Sequence, residues 1–79
     1  MEFLELGQII RTRRKALKIT QPRLAELAQV NINTVLRLEK GTANPTLDVL
    51  LKIADILGLE LKMEIRKKAW VTNERGAYL

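Results

Sequence analysis

The chain has no cysteine and no histidine among its 79 residues. Without cysteine there is no disulfide framework and no thiolate metal site. Without histidine, metal binding would rest on scattered carboxylates, so neither a metal nor a cofactor is expected. The two absences also remove the commonest nucleophiles and general bases. A phosphate-cradling glycine loop is missing as well, and the chain is too short to enclose a roomy pocket. An enzyme is therefore not expected. No apolar run approaches the ~20 residues of a membrane span. Glu2 and Glu5 stand where a signal peptide would be basic, so the expected location is cytoplasmic, away from any membrane.

What is present is a folding sequence, 47% apolar. Its length allows one domain at most, and a core this small is marginal alone, which dimerisation commonly remedies. The net charge of +5 is unevenly placed. Between Gln8 and Lys40 lie eight basic residues (Arg11, Arg13, Arg14, Lys15, Lys18, Arg23, Arg37 and Lys40), opposed only by Glu26 and Glu39. The whole positive excess sits there. Charge alone leaves two readings open, a nucleic-acid surface and a solvated basic face.

Apolar periodicity predicts four helices. The first spans about Leu4 to Leu17, with Leu6, Ile9, Ile10 and Leu17 at helical spacing. Thr20 is a good N-cap for the second, and Pro22 is tolerated in its first turn. Its stripe is Leu24, Ala25, Leu27 and Ala28. Asn31 caps a third helix over Ile32–Glu39, with Val35 and Leu38 inward and Val30 just ahead. Gly41 ends it. The fourth starts at Thr46 after Pro45, is apolar on a wide face (Leu47, Leu50, Leu51, Ile53, Ala54, Leu57), and stops at Gly58 in the place of a left-handed cap. After Gly58 the period changes. In "LELKMEIR", Leu59, Leu61, Met63 and Ile65 alternate with charges, which predicts a half-buried strand; a fifth amphipathic helix is the alternative. No other segment offers the strand a partner, so pairing with a second copy is expected, antiparallel about a two-fold axis. The remaining tail holds Trp70 and Tyr78, two of the three aromatic residues. They mark either a docking contact or, for Trp70, a cover for the dimer core. The expected division is 1–58 for the helical domain, 59–66 for a dimerisation strand and 67–79 for a tail.

Two helices joined tightly, the second carrying exposed Asn33, Thr34, Leu36 and Arg37, describe a helix-turn-helix. The major groove admits one helix, which must be presented by a rigid partner. The motifs "IIRTRRKALKITQ", "LAELA", "LEKG" and "NPTLDVLLKIADILG" extend this reading. Together they resemble the phage-repressor and Cro family of helix-turn-helix proteins, also called the xenobiotic-response-element family, over about two thirds of the chain. The fold implied is mainly α: a lambda-repressor-like bundle of four helices, here with one C-terminal β-strand pairing across a dimer. The sequence departs from the family pattern at Lys18 and Gln29, where glycine is usual; a non-glycine residue at positive φ costs about 1 kcal/mol.

The resemblance also implies roles. Gln21 is similar to the glutamine that bridges a phosphate and a base. Ile32, Asn33 and Arg37 occupy base-reading positions, with Thr34 beside them. Asn31, Lys40, Thr42 and Asn44 fit phosphate-contact positions. Arg14 and Glu39 match an interior ion pair. Leu59, Leu61, Met63 and Ile65 would form the dimer contact. A strand in place of a fifth helix is similar to HipB-like antitoxins, whose partner is a HipA-like kinase toxin. The expected function is thus a homodimeric repressor on a palindromic operator in double-stranded DNA, autoregulating a toxin–antitoxin operon, with Trp70 and Tyr78 open to the toxin. A phage or mobile-element repressor, and a toxin-sequestering module without a DNA role, are the alternatives.

Overall fold

The helices are punctuated by one device used repeatedly. In the computed structural model, which describes residues 2–64, four α-helices follow one another: α1 (Phe3–Ala16), α2 (Gln21–Ala28), α3 (Ile32–Lys40) and α4 (Leu47–Leu57). Each ends the same way. Ile19, Val30, Thr42 and Leu59 each donate their backbone N–H to the carbonyl five residues back, at 2.9–3.1 Å. The residue before each of these lies in the left-handed region: Lys18 (φ 58°), Gln29 (φ 56°), Gly41 (φ 76°) and Gly58 (φ 68°). This is the Schellman ending, which satisfies carbonyls the helix leaves unpaired. Its usual companion is an apolar residue two positions past the helix end, and Ile19, Val30 and Leu59 pack on the core.

The next helix then begins at once. The hydroxyl of Thr20 accepts from Arg23 N–H, Asn31 Oδ1 from Asn33 N–H, and the Thr46 hydroxyl from Val49 N–H. The connectors α1–α2 and α2–α3 therefore share one run of three roles, a left-handed residue, an apolar anchor and a cap (Lys18, Ile19, Thr20 and Gln29, Val30, Asn31), with Leu17 ahead of it in the first. That is why the chain stops after Ala28 and restarts at Ile32.

The core is built from Ile10, Leu24, Ala25, Ala28, Val35, Leu38, Ile53 and Leu57. Burying a Leu, Ile or Val side chain is worth about 1.5–3 kcal/mol, and Leu24, Val35, Leu38, Ile53 and Leu57 are buried completely. Helix α3 packs on α1 and α2, and α4 on α2 and α1. Gly7 sets the α1–α3 approach, because a Cβ there would stand 2.2 Å from the Leu38 carbonyl oxygen. Several apolar residues expected to turn inward are exposed instead. Leu27 lies at the edge of its stripe, Ile9 and Leu17 look outward, and on α4 Leu47 and Leu51 are 65% and 50% exposed. Ile53, Ala54 and Leu57 of α4 are buried in the core and Leu50 packs partly against it, whereas Leu47 and Leu51 are not covered by any of the described residues. An apolar groove of about 130 Å³ lies alongside, lined by Leu6, Ile9, Leu50, Ile53, Leu59 and Leu61.

Residues 59–64 carry neither a helical turn nor a strand, and no ladder partner for them lies among the described residues. Ile65, Arg66, Trp70 and Tyr78 lie outside the described residues. Among those described, no helix is long and apolar enough to cross a membrane.

Two substitutions should move stability in directions opposite to helix propensity. Gly7→Ala favours a helix by about 1 kcal/mol but drives a methyl into the α3 backbone, where overpacking costs about 1–3 kcal/mol or more. A net loss is expected, lowering Tm by several degrees. Gln29→Gly removes the left-handed penalty of about 1–2 kcal/mol and loses somewhat less to chain entropy, so Tm should rise by a few degrees. Calorimetry of the two variants checks both signs.

Candidate nucleic-acid interface

Helix α3 divides its residues by exposure as a probe would. Val35, Leu38 and Glu39 are buried, Ile32, Thr34 and Leu36 are half-buried, and Asn33, Arg37 and Lys40 are exposed. Asn33 and Arg37 are four residues apart, one turn along the same face. The Arg37 guanidinium lies back along the helix, with Nε 3.4 Å from the Asn33 carbonyl oxygen, a long contact that holds it weakly. Two side chains with planar, multi-point hydrogen-bonding ends thus stand together on one open surface. Asn31 spends Oδ1 on the Asn33 N–H at 2.8 Å and keeps its amide protons for another acceptor.

The loop after α3 exposes Thr42 and Asn44 beside Lys40. Thr42 differs from the others in one respect. Its hydroxyl donates to the Arg37 carbonyl at 3.3 Å, and its N–H donates to the same oxygen at 3.0 Å. The side chain has only one proton, and it is turned to the end of α3, not to solvent.

Beneath this surface sits an ion pair. Arg14 on α1 is 8% exposed and Glu39 on α3 is 6% exposed. The guanidinium meets the carboxylate as a fork, Nε to Oε2 at 2.7 Å and Nη2 to Oε1 at 2.9 Å. Arg14 Nη1 also donates to the Ile19 carbonyl at 2.9 Å. The Glu39 hydrogen bond raises the Arg14 pKa above its ordinary value against the opposing pull of burial. Gln21, the first residue of α2, donates from Nε2 to Glu39 Oε1 at 3.2 Å. One carboxylate therefore joins α1, the start of α2 and the end of α3. No buried side-chain polar atom among the described residues lacks a partner.

Two contacts were not legible from sequence. Arg13, which composition groups with Arg11 and Lys15, donates from Nε to the Leu57 carbonyl at 2.7 Å, placing a cation at the negative end of α4. Arg11, Lys15 and Lys18 are exposed, and Arg23 pairs with Glu26 on α2. The Gln21–Glu39 bond has no signature in either residue's spacing. Both arise from how helices distant in sequence meet.

The helix-turn-helix family model matches residues 10–62. An uncharacterized HTH-type transcriptional regulator of Methanothermobacter thermautotrophicus is 44% identical over 69 residues, 87% of this chain and 94% of that protein. The immunity repressor protein of Bacillus phage phi105 is 29% identical over 75 residues, 95% of this chain and 52% of the repressor. The chain spans about half the length of that repressor, and only 17% of the putative HTH-type transcriptional regulatory proteins of Methanococcus maripaludis that it also matches. Among solved structures, the restriction-modification controller protein C.AhdI from Aeromonas hydrophila superimposes with a TM-score of 0.71 at 33% identity, covering 73% of this chain and 88% of that one.

The buried pair gives a stability prediction. Arg14→Ala leaves the Glu39 carboxylate buried without its fork and should cost about 3–5 kcal/mol, whereas Arg14→Met combined with Glu39→Leu should recover most of that loss. Urea denaturation of the single and double variants measures the difference. A single variant as stable as the parent would mean the pair does not hold α1 to α3.

Proposed function

Since the chain belongs to the helix-turn-helix family, we propose that it binds double-stranded DNA as a homodimer and represses transcription from a palindromic operator. The observation that carries this reading is the open pairing of Asn33 and Arg37 one turn apart on α3. An asparagine can bond an adenine edge at two points and an arginine a guanine edge, each contact worth about 1–3 kcal/mol of discrimination. Ile32, half-buried beside them, offers an apolar surface to a thymine methyl, with Thr34 at the flank. Asn31, Lys40 and Asn44 lie exposed at the two ends of α3 and would contact phosphates, which position the protein without reading sequence. Thr42 would contribute its position more than its proton.

The second copy is proposed from unpartnered apolar surface. Leu47 and Leu51 on α4, Ile9 at the groove, and Leu61 and Met63 beyond Gly58 are exposed in the single chain. In the proposed dimer, residues 59–66 pair across a two-fold axis, with Leu59, Leu61, Met63 and Ile65 inward and the exposed face of α4 against its counterpart. The groove is well below the ~300 Å³ of a typical small-ligand pocket, and a side chain from a second copy suits it better than a metabolite. Two copies of α3 would then reach successive major grooves, about 34 Å apart. Bound at its own promoter in the cytoplasm, the dimer would block polymerase.

The period-two segment supports an antitoxin role with a HipA-like kinase toxin as partner, Trp70 and Tyr78 being the residues proposed for that contact. A second reading, a phage or mobile-element repressor, is favoured by the immunity repressor that aligns over 95% of this chain. The neighbouring gene distinguishes them: a kinase-like frame overlapping this one supports the antitoxin, and its absence supports the phage-type repressor.

Footprinting on the DNA upstream of the gene, at two salt concentrations, should reveal a protected palindrome whose affinity falls steeply with salt. Asn33→Ala and Arg37→Ala should each weaken that site about tenfold or more while leaving non-specific binding nearly unchanged. Equal retardation of operator and random DNA by both variants and parent would refute base reading by α3. For the dimer, Leu51→Lys and Met63→Pro should each shift sedimentation towards monomer; Met63→Pro removes a ladder hydrogen bond. If both stay dimeric, the shared strand and the α4 contact are wrong.

A further inference from the structure

The charges after Gly58 choose among the ways this segment can pair with a second copy. Glu60, Lys62 and Glu64 are exposed, and within the chain Glu60 and Lys62 come no closer than 4.0 Å. Residues directly opposite in an antiparallel pair share a face. A two-fold axis between two residues would set apolar positions opposite charged ones. An axis at a residue keeps Leu59, Leu61, Met63 and Ile65 together. With the axis at Lys62, that lysine meets its own copy and Glu60 meets Glu64. With the axis at Met63, Lys62 meets Glu64, Glu60 meets Arg66 and Leu61 meets Ile65. An axis nearer Gly58 leaves Ile65 and Arg66 unpaired, and one nearer the tail sets Lys62 against a basic residue. Opposite charges across a pair stabilise it and like charges destabilise it, so the Met63 register is favoured. Its axial residue, Met63, is 100% exposed in the single chain.

That register has a consequence for the apolar groove. Glu60 stands at the edge of the groove, beside Leu6, Ile9, Leu50, Leu59 and Leu61. Arg66 of the partner subunit, opposite Glu60, brings the residues that follow it to this edge. Four residues reach about 14 Å at most. In the run Lys67, Lys68, Ala69, Trp70, only the last is bulky and apolar. The groove, about 130 Å³, has room for one large side chain and not for a helix. At its rim the Glu60 carboxylate offers an acceptor for an indole N–H.

Resting on the proposed homodimer, we infer that Met63 lies on the two-fold axis and that Trp70 of the partner subunit fills the groove between α1 and α4. The contact is reciprocal, so each copy covers the apolar groove of the other. A toxin reaches Trp70 only by drawing it out of the groove.

The chain contains no cysteine and one tryptophan, so an introduced thiol and the native indole each report on one position. Met63→Cys should form an interchain disulfide in air at least tenfold faster than Lys62→Cys. Opposed residues lie about 4.5–5.5 Å apart, within the separation a disulfide spans, and residues one step off the axis do not. In the linked dimer, acrylamide should quench Trp70 fluorescence several-fold less than in the Met63→Pro monomer. Adding Ile9→Lys to the linked dimer should restore the quenching. The disulfide keeps the two copies together, and Ile9 is 45% exposed, so the lysine leaves the core of each copy intact. A cover made by a chain's own tail would protect Trp70 equally in the monomer. Faster linking at Lys62, equal protection in the monomer, or free quenching in the linked dimer overturns the inference. An unsubstituted chain that sediments as a monomer at every concentration overturns the dimer reading and this inference together. A dimer that does not link at Met63→Cys overturns this inference alone.

Discussion

Arg14 and Glu39 face each other in the interior where α1 meets the end of α3, each with less than a tenth of its surface exposed. Removing two charges from water is costly, and a buried pair commonly gains no more than a well-packed apolar pair would. Its value here is geometric. A fork of two hydrogen bonds fixes distance and plane together, which an apolar contact does not. The same fork reaches the Ile19 carbonyl on one side and the Gln21 amide on the other. Three helices that are short or far apart in sequence are thereby locked to one small group of atoms. The pose of α3, on which any base contact depends, follows from that lock.

Neither α2, with eight residues, nor α3, with nine, would be stable as a helix alone. Caps and packing hold them. The short connectors on either side of α2 give it and its neighbours a stop and a start that satisfy local backbone groups, and Ile19 and Val30 pin them to the core. Gly7 then lets the α3 backbone settle directly on α1. The outcome is a short helix with a rigid back and an open front, which is the mechanical requirement for reading a groove.

The starts and stops were legible because they are local chemistry. Thr20, Asn31 and Thr46 cap the helices that their types announce, and Gly41 and Gly58 sit at left-handed ends. Boundaries moved by about one residue: α1 runs Phe3–Ala16 and leaves Leu17 as its cap, and α3 continues to Lys40. Lys18 and Gln29 occupy glycine-like conformations that propensity alone would not assign, and only departure from a family pattern pointed to them. Depth was less legible than period. Periodicity places Leu27, Leu47 and Leu51 on apolar faces, but whether a face is covered depends on what packs against it. The roles of Gly7, Arg13 and the Gln21–Glu39 bond depend on contacts 18 or more residues away in sequence, where spacing holds no information.

α3 is held by α1 and α2, whereas one group of exposed apolar side chains, Leu47, Leu51, Leu61 and Met63, sits on α4 and beyond Gly58, separate from α3 in the chain. In the proposed dimer this separation matters. Covering Leu47, Leu51 and Leu61 adds apolar burial to a core that fills only part of α4, so pairing would stabilise each copy by mass action. It would do so without touching the Arg14–Glu39 lock, leaving the pose of α3 within a copy unchanged. What pairing sets is the distance between two probes that are already shaped. Affinity for a two-fold site would then depend on protein concentration through the dimer, and base preference within a half-site would depend on the α3 residues Ile32, Asn33 and Arg37. The two properties are carried by different residues, so each can be altered by substitution while the other is measured.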